Sequence, residues 1–405
     1  MKTSKQKVRL SGTNLERAAD HNQRVTLHAI RVNGELTRVD LANITGLTPP
    51  AIANITRRLL GEGLIEESGQ LRGGRGQPAT KFVVARDACY SIGVNIDRDH
   101  ITIVIVNFAG ETVARLSREV PFALPGEVRD MYRGSIERMI ADAGIDASRL
   151  VGIGVAIPDD LGRIDLPGRS PDYSQWDDAN LPALFAEPLN LPVFTENDAA
   201  AAAMGEMQLG LGQFHSSFFY ILVSSALGGG LVIDGNYFRG ADGRSGELGF
   251  LLADDGKGGL EQIQQSVSLS GLAVPLEAAG FRLAEMMGES ASAEVDAVVE
   301  RWMDLAAERL TGALAAVNCL INPAAILIGG RLPRRYVEAL AARCQARLQR
   351  CATNAPTLAP ILRAALSEDA PAVGGAILPF SHFLLPRSGT LWKEPDTAGK
   401  GRRAA

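Results

Sequence analysis

Two stretches carry residue types whose spacing suits chemistry on a phosphate or a nucleic acid. In residues 221–250, the apolar run Ile221, Leu222, Val223 enters a turn of small residues with Gly228, Gly229 and Gly230, and a second apolar run leaves it. The pattern predicts a buried hairpin whose glycines let a ligand, typically a phosphate, approach main-chain N–H groups. An ordinary tight hairpin fits the same residues. Further on, Gly246-Glu247-Leu248-Gly249 sets one carboxylate among glycines. The second stretch is residues 47–60. Thr48 stands at an N-cap position, Pro49 suits the first helical position, and Ile52, Ile55 and Leu59 fall at the spacing of a buried stripe. That leaves Pro50, Ala51, Asn54, Arg57 and Arg58 toward solvent, with Asn54 able to read a base edge and the arginines placed for base or phosphate.

The elements around this second stretch predict how it is held. Residues 14–32 have a helical pattern that stops at Asn33-Gly34, and Thr37-Arg38-Val39-Asp40 resembles a capping box that opens a short helix carrying Leu41 and Ile44 on one side. Short helix, glycine turn at Gly46 and helix make a helix-turn-helix. Two strands at 63–67 and 81–84 flank a glycine-rich loop containing Arg72, Arg75 and Gln77, the pattern of a wing whose arginines lie along phosphates or enter a narrow minor groove. A structural helix pair with an incidental arginine face, followed by a solvated loop, is the alternative.

Beyond residue 88, apolar runs at 90–94, 101–106, 150–157, 193–195, 218–223 and 325–328 alternate with helical patterns at 132–144, 198–207 and 303–318. Such alternation predicts an α/β fold with two lobes and a cleft. The expected organisation is a disordered basic arm over 1–13, a DNA-binding domain over 14–86, a larger domain over 87–386 and a flexible tail over 387–405.

Charge separates the two parts. Residues 1–86 hold 14 Lys+Arg and 7 Asp+Glu, a net of +7, which leaves −12 for the rest of a chain whose total is −5. A basic module on an acidic body fits nucleic-acid binding coupled to another purpose. With 405 residues, 46% hydrophobic, there is ample material for a core. The four cysteines form neither a CxxC pair nor a ligand set, and no run has the length of a membrane span, so a cytoplasmic location is expected.

The order and spacing of several segments resemble the ROK family, which groups bacterial sugar kinases with transcriptional repressors that add an N-terminal winged helix. The segments are Gly152-Ile153-Gly154-Val155, the region around Trp176, residues 196–206 beginning Glu196-Asn197-Asp198, the glycines at 228–230 with Asp234-Gly235, Gly246-Glu247-Leu248-Gly249, Leu260-Glu261, and Asn322-Pro323 through Gly329-Gly330. Gly76-Gln77-Pro78 is similar to the wing motif of the family's repressors. The resemblance implies a winged helix-turn-helix followed by a two-lobed actin-like, hexokinase-like (ribonuclease H-like) fold.

It also implies a ligand site. Asn197 and Asp198 match the pair that hydrogen-bonds the sugar, Asp198 at the kinases' general-base position, and Glu247 and Glu261 match two further carboxylates that accept from sugar hydroxyls. Structural roles remain open for all of these: an N-cap for Asp198, salt bridges for Glu247 and Glu261. Two departures weigh against kinase chemistry. Where the kinases carry Asp-x-Gly-Gly-Thr to hold ATP phosphates, this chain has Asn95-Ile96-Asp97-Arg98-Asp99, and the family's Gly-Thr-Gly is replaced by Ser224-Ser225-Ala226. Carboxylates a few Å from a polyphosphate repel it by about 1 kcal/mol even in bulk water, and by several near a protein surface, with Arg98 offsetting part. The family's zinc ligands, a His and three cysteines, are missing, Phe250 standing at the His position, so no cofactor is expected. The expected protein is a DNA-binding regulator, a repressor of carbohydrate-related genes, acting as a homodimer or tetramer on a palindromic operator under control of a sugar-like effector. A sugar kinase with an accessory DNA-binding domain, and a ligand-independent DNA-binding dimer, are the rival readings.

Overall fold

The computed structural model describes residues 15–71, 78–163, 170–288, 290–352, 354, 355 and 357–386. The expected arm over 1–13 and tail over 387–405 lie outside them, as do Asn14, Arg72, Arg75 and Gln77. The chain divides into two compact units, residues 1–88 with 381–405, and residues 89–380.

In the smaller unit, α1 (Leu15–Asn33), α2 (Arg38–Thr45) and α3 (Pro49–Gly61) accompany a three-stranded sheet of β1 (Leu36–Thr37), β2 (Ile65–Leu71) and β3 (Ala79–Val84), in the order β1-β3-β2. The capping box at α2 forms as expected: Thr37 Oγ1 accepts from Asp40 N, and Thr37 N donates to Asp40 Oδ2 at 2.9 Å. Leu41 is fully buried, whereas Ile44, three residues on in the same helix, is half exposed. The buried stripe of α3 is Ile52, Thr56 and Leu59, with Ile55 only half buried. Thr56 earns its place through hydrogen bonds, donating to Ala53 O and accepting from Arg38 Nε at 3.0 Å. Thr48 stands at the N-cap without a side-chain cap bond.

The larger unit contains two five-stranded sheets. One is built from β4 (Tyr90–Ile96), β5 (His100–Asn107), β6 (Thr112–Glu119), β7 (Leu150–Ala156) and β8 (Val193–Glu196), ordered β6-β5-β4-β7-β8 with β4, β7 and β8 parallel. α4 (Pro125–Asp142) and α5 (Leu181–Leu184) fall between its strands in the chain. α4 begins seven residues before the sequence pattern suggested, because Pro125 occupies the first helical position, where its missing N–H costs nothing. After α6 (Asp198–Leu209) comes the second sheet: β9 (Phe218–Val223), β10 (Leu227–Ile233) and β11 (Asn236–Tyr237), joined later by β14 (Ala325–Gly330) and β15 (Ile361–Arg363), in the order β11-β10-β9-β14-β15. Between them lie the hairpin β12 (Leu252–Asp254) and β13 (Leu260–Gln262), then α7 (Ile263–Ser266), α8 (Leu269–Ala278) and α9 (Ala293–Leu320). α10 (Arg334–Cys351) and α11 (Ala370–Phe383) complete the chain.

The glycine run is a correction to the sequence reading. Gly228, Gly229 and Gly230 lie inside β10 and none has a positive φ; the turn is Ser224-Ser225-Ala226. A Cβ at Gly228 would fall 2.7 Å from Ala199 Cβ, and one at Gly230 would fall 2.6 Å from Ala203 Cβ. These glycines therefore serve the approach of α6, whose alanines 199–203 are all buried. α11 is packed in the same way: a Cβ at Gly93 or Gly154 would meet the carbonyls of Ala372 and Gly375, and one at Gly374 would meet Ala201 O. Gly230→Ala should lower stability by roughly 1–3 kcal/mol in denaturant titration through overpacking. Gly134→Ala, in the exposed middle of α4 with nothing within 4 Å, should instead raise it by up to about 1 kcal/mol.

Candidate functional site

The sequence reading took residues 95–99 and 224–226 for a phosphate cradle spoiled by acidic side chains, and the structure finds an arginine against those acids. Gly330 ends β14 with φ +116°, a conformation that favours glycine, and the next residue's N–H donates to Val223 O at 3.0 Å. This turn directs the Arg331 side chain, 7% exposed, at the β4–β5 hairpin. Its Nη1 donates to Asp99 Oδ1 at 2.5 Å and to Asp97 Oδ2 at 3.3 Å, and its Nη2 donates to both Glu119 oxygens at 3.0 and 2.9 Å. Ser225, in the turn of the β9–β10 hairpin, adds an Oγ–H bond to Asp99 at 3.0 Å. His100 joins the cluster with Nδ1 2.7 Å from Glu119 Oε1 and Nε2 2.7 Å from Thr102 Oγ1.

Burial works against the charged form of Asp99, but Arg331 outweighs it and holds the carboxyl below its ordinary range. Burial likewise opposes the charge on Arg331, while Asp97, Asp99 and Glu119 raise its pKa. Arg98, expected from sequence to balance the carboxylates, turns elsewhere: its guanidinium donates to Ser270 Oγ at 2.8 Å and lies 5.5 Å over the Phe122 ring. The main balancing charge comes from a residue more than 200 positions along the chain. Its only local signal was a lone arginine following a buried strand.

A cavity of about 480 Å³ opens at the carboxyl ends of β7 and β8. Its walls include Asp159, Asp160, Trp176, Glu196 and Asn197 from the first sheet's side, and Arg239, Asp242 and Arg244 from the segment after β11. Loops at the carboxyl ends of parallel strands are where α/β sheets hold ligands. That rule could have singled out Asp159 and Asp160, which follow β7 and which the sequence reading missed. Arg239 pairs with Glu196, and Arg244 Nη1 donates to Asp160 Oδ2 at 2.7 Å, so these two arginines span the cavity.

The expected ligand residues do not converge fully. Asn197 lines the cavity and is the true N-cap of α6: its Oδ1 accepts from Ala199 N and Ala200 N, and its Nδ2 donates to Asp159 at 3.3 Å. Asp198 is buried in the next position, its carboxyl pushed up to about 7 by burial first and then by the charges of Asp97 and Asp159. Glu247 reaches the cavity only through Arg244, 3.1 Å away, and Glu261 on β13 pairs with Arg309 of α9 at 3.4 Å. The family's zinc does not fit this chain. Phe250 is half exposed at the His position, and the carboxylates of the β12–β13 turn cap that turn, Asp255 Oδ1 accepting from Lys257 N and Gly259 N.

In the smaller unit, Thr48, Pro50, Asn54, Arg57 and Arg58 are exposed and Ala51 is half buried. Asn54 Oδ1 accepts from Arg57 Nη1 at 3.1 Å, and Arg58 pairs with Glu62 at 2.8 Å.

The ROK family pattern matches residues 91–381, and a winged helix-turn-helix DNA-binding pattern matches residues 20–66. The chain belongs to the ROK family. It is 31% identical over 367 residues to the uncharacterized protein y4fQ of Sinorhizobium fredii, covering 89% of this chain and 90% of that one. It is 30% identical over 236 residues to the xylose repressor of Bacillus subtilis, spanning 58% of this chain and 60% of the repressor. To the DNA-binding transcriptional repressor Mlc of Escherichia coli it is 25% identical over 327 residues, 74% of this chain and 78% of Mlc. In fold, this ROK chain is similar to the crystal structure of a ROK family transcriptional regulator homologous to Mlc, with TM-score 0.65 and 22% identity over 90% of this chain and 96% of that one. It is also similar to a ROK family glucokinase from Streptomyces griseus, with TM-score 0.55 and 24% identity over 71% of this chain and 98% of the kinase.

Two outcomes test the site. Arg331→Ala leaves buried carboxylates without a counter-charge and should cost about 3–5 kcal/mol of unfolding free energy, most of it regained when Asp97→Asn and Asp99→Asn are added. A carboxyl that keeps its proton to about pH 7 when folded, but sheds it near pH 4 when unfolded, makes stability fall as pH rises through that window. In Asp198→Asn the slope of unfolding free energy against pH between 4 and 7 should therefore be less negative by up to about 1.4 kcal/mol per unit; an identical slope would show that the buried carboxyl is already ionised.

Proposed function

We propose that this protein is a DNA-binding transcriptional regulator, a repressor of carbohydrate-related genes in the cytoplasm, whose grip on its operator is set by a sugar-like effector in the kinase-like unit. The observation that carries this reading is one chain holding a winged helix with its polar face in solvent and a kinase-like unit whose two hairpins are bridged by Arg331. Relatives that share long stretches with it carry the names xylose repressor and DNA-binding transcriptional repressor Mlc. A ligand shifts such a regulator only through its different affinity for two conformations.

α3 supplies the reading face, with Asn54 and Arg57 toward bases or phosphates, and Thr48, Pro50, Ala51 and Arg58 around them. Arg72, Arg75 and Gln77 are assigned to the wing on sequence grounds. Two copies on a roughly palindromic operator follow from the geometry of paired recognition helices. Effector binding is assigned to the cavity beside Asn197, with Asp198 behind it and Glu247 acting through Arg244; Glu261, tied to Arg309, is the least direct of the four.

Phosphoryl transfer is disfavoured because the position that would receive polyphosphate holds Asp97, Asp99 and Glu119, whose three charges Arg331 offsets only in part while its own N–H groups are taken up by them. A kinase reading draws support from Asp198 alone, whose raised pKa suits a general base. A coupled assay with magnesium ATP and a panel of sugars separates the two: no turnover is expected, and turnover abolished by Asp198→Asn would establish the kinase instead. For DNA, Arg57→Ala should weaken operator binding and make the plot of log affinity against log salt shallower by about one unit; an unchanged slope would remove Arg57 from the phosphate contacts.

A further inference from the structure

Among the described residues, the cavity at the ends of β7 and β8 is lined by five carboxylates and three guanidiniums. Each guanidinium is already engaged. Arg163 Nε lies 3.3 Å from Asp177, Arg239 is held by Glu196, and Arg244 by Asp160 and Glu247 at 2.7 and 3.1 Å. Asp159 and Asp242 remain as surplus negative charge on the wall, Asp159 being 3.8 Å from the already shared Arg244 Nε. Behind Asn197 lies the buried carboxyl of Asp198, its pKa raised by burial first and then by Asp97 and Asp159.

Among the described residues, an anionic group entering this space meets only guanidiniums that already face a carboxylate, so it comes close to that carboxylate as well as to the surplus charge of Asp159 and Asp242. The repulsion acts over a few Å in a partly enclosed site, where water screens it less than in bulk. Hydroxyl groups face the opposite situation: carboxylate oxygens are pure acceptors, and a polyol supplies donors to each. A protonated amine gains further. Asp160 is also held at φ 53°, a conformation uncommon for a residue with a side chain, which keeps its carboxylate in the wall against Arg244.

We propose that the cavity selects a polyol bearing no negative charge, neutral or amino-substituted, and rejects sugar phosphates and sugar acids, with Asp159 and Asp160 as the selecting residues. The inference rests on the effector-sensing reading and narrows it to a ligand class. Isothermal titration of the full chain tests it with glucose and galactose, each as the parent sugar, the 2-amino sugar, the 6-phosphate and the uronate. In a series that binds, the neutral or amino form should bind at least about tenfold tighter than either anion, and Asp159→Asn with Asp160→Asn should narrow that gap. A phosphate or uronate binding as tightly as its parent overturns the inference while leaving effector sensing in place, and a gap unchanged in the double variant removes the two aspartates from the selecting role. Silence from every probe counts against effector sensing itself, and the inference falls with it.

Discussion

A single buried guanidinium ties the two sheets of the larger unit together. Arg331 is carried by the second sheet, while Asp97, Asp99 and Glu119 belong to the first, and the arginine's bonds use both terminal nitrogens. Burying Arg331 and Asp97, each less than a tenth exposed, is costly, and their pairing makes it tolerable, whereas Glu119 keeps most of its side chain in solvent. With its partners in place the cluster holds the β4–β5 hairpin against the β9–β10 turn, and without the arginine Asp97 is left buried and uncompensated. Any change in the angle between the sheets has to stretch or break it, which gives the molecule a defined resting arrangement.

The cavity beside this cluster is bridged by charge as well. Arg239 and Arg244 reach from the segment after β11 to acids at the ends of β8 and β7, with both arginine side chains about half exposed. Exposed pairs of that kind are worth little individually, which suits contacts that must rearrange when a ligand arrives. The deep pairs around Arg331 and the shallow pairs over the cavity thus divide the work between holding and yielding.

Much of the architecture was legible from pattern alone. β9 was read over Phe218–Val223, the bounds it has, and the α2 capping box was read from four residues, because both signals are local. The errors arose where distant parts decide. Gly228–Gly230 read as a turn because a glycine run commonly marks one, whereas its cause is the crowding of α6, which no local pattern contains. Thr56 took a buried place in α3 that apolar spacing assigned to Ile55, since Arg38 supplies its hydrogen bond from another helix. Around the candidate site, Asn197 was assigned from the family resemblance and lines the cavity, but the partner of Asp97 and Asp99 was not read, since charge pairing across more than 200 residues leaves no periodic trace.

The junction of β4, β7, α6 and α11 is made largely of alanine and glycine, with main-chain atoms in direct contact at Gly93, Gly154 and Gly374. Residues without rotamers lose no side-chain entropy on folding, so this seam forms cheaply, yet it has no spare volume for even one methyl group. Any larger side chain is consequently costly along the seam, whereas the exposed surfaces accept substitution with little strain. The cavity rim and the exposed face of α3 can therefore be changed by substitution while the centre of the fold is held to the smallest side chains.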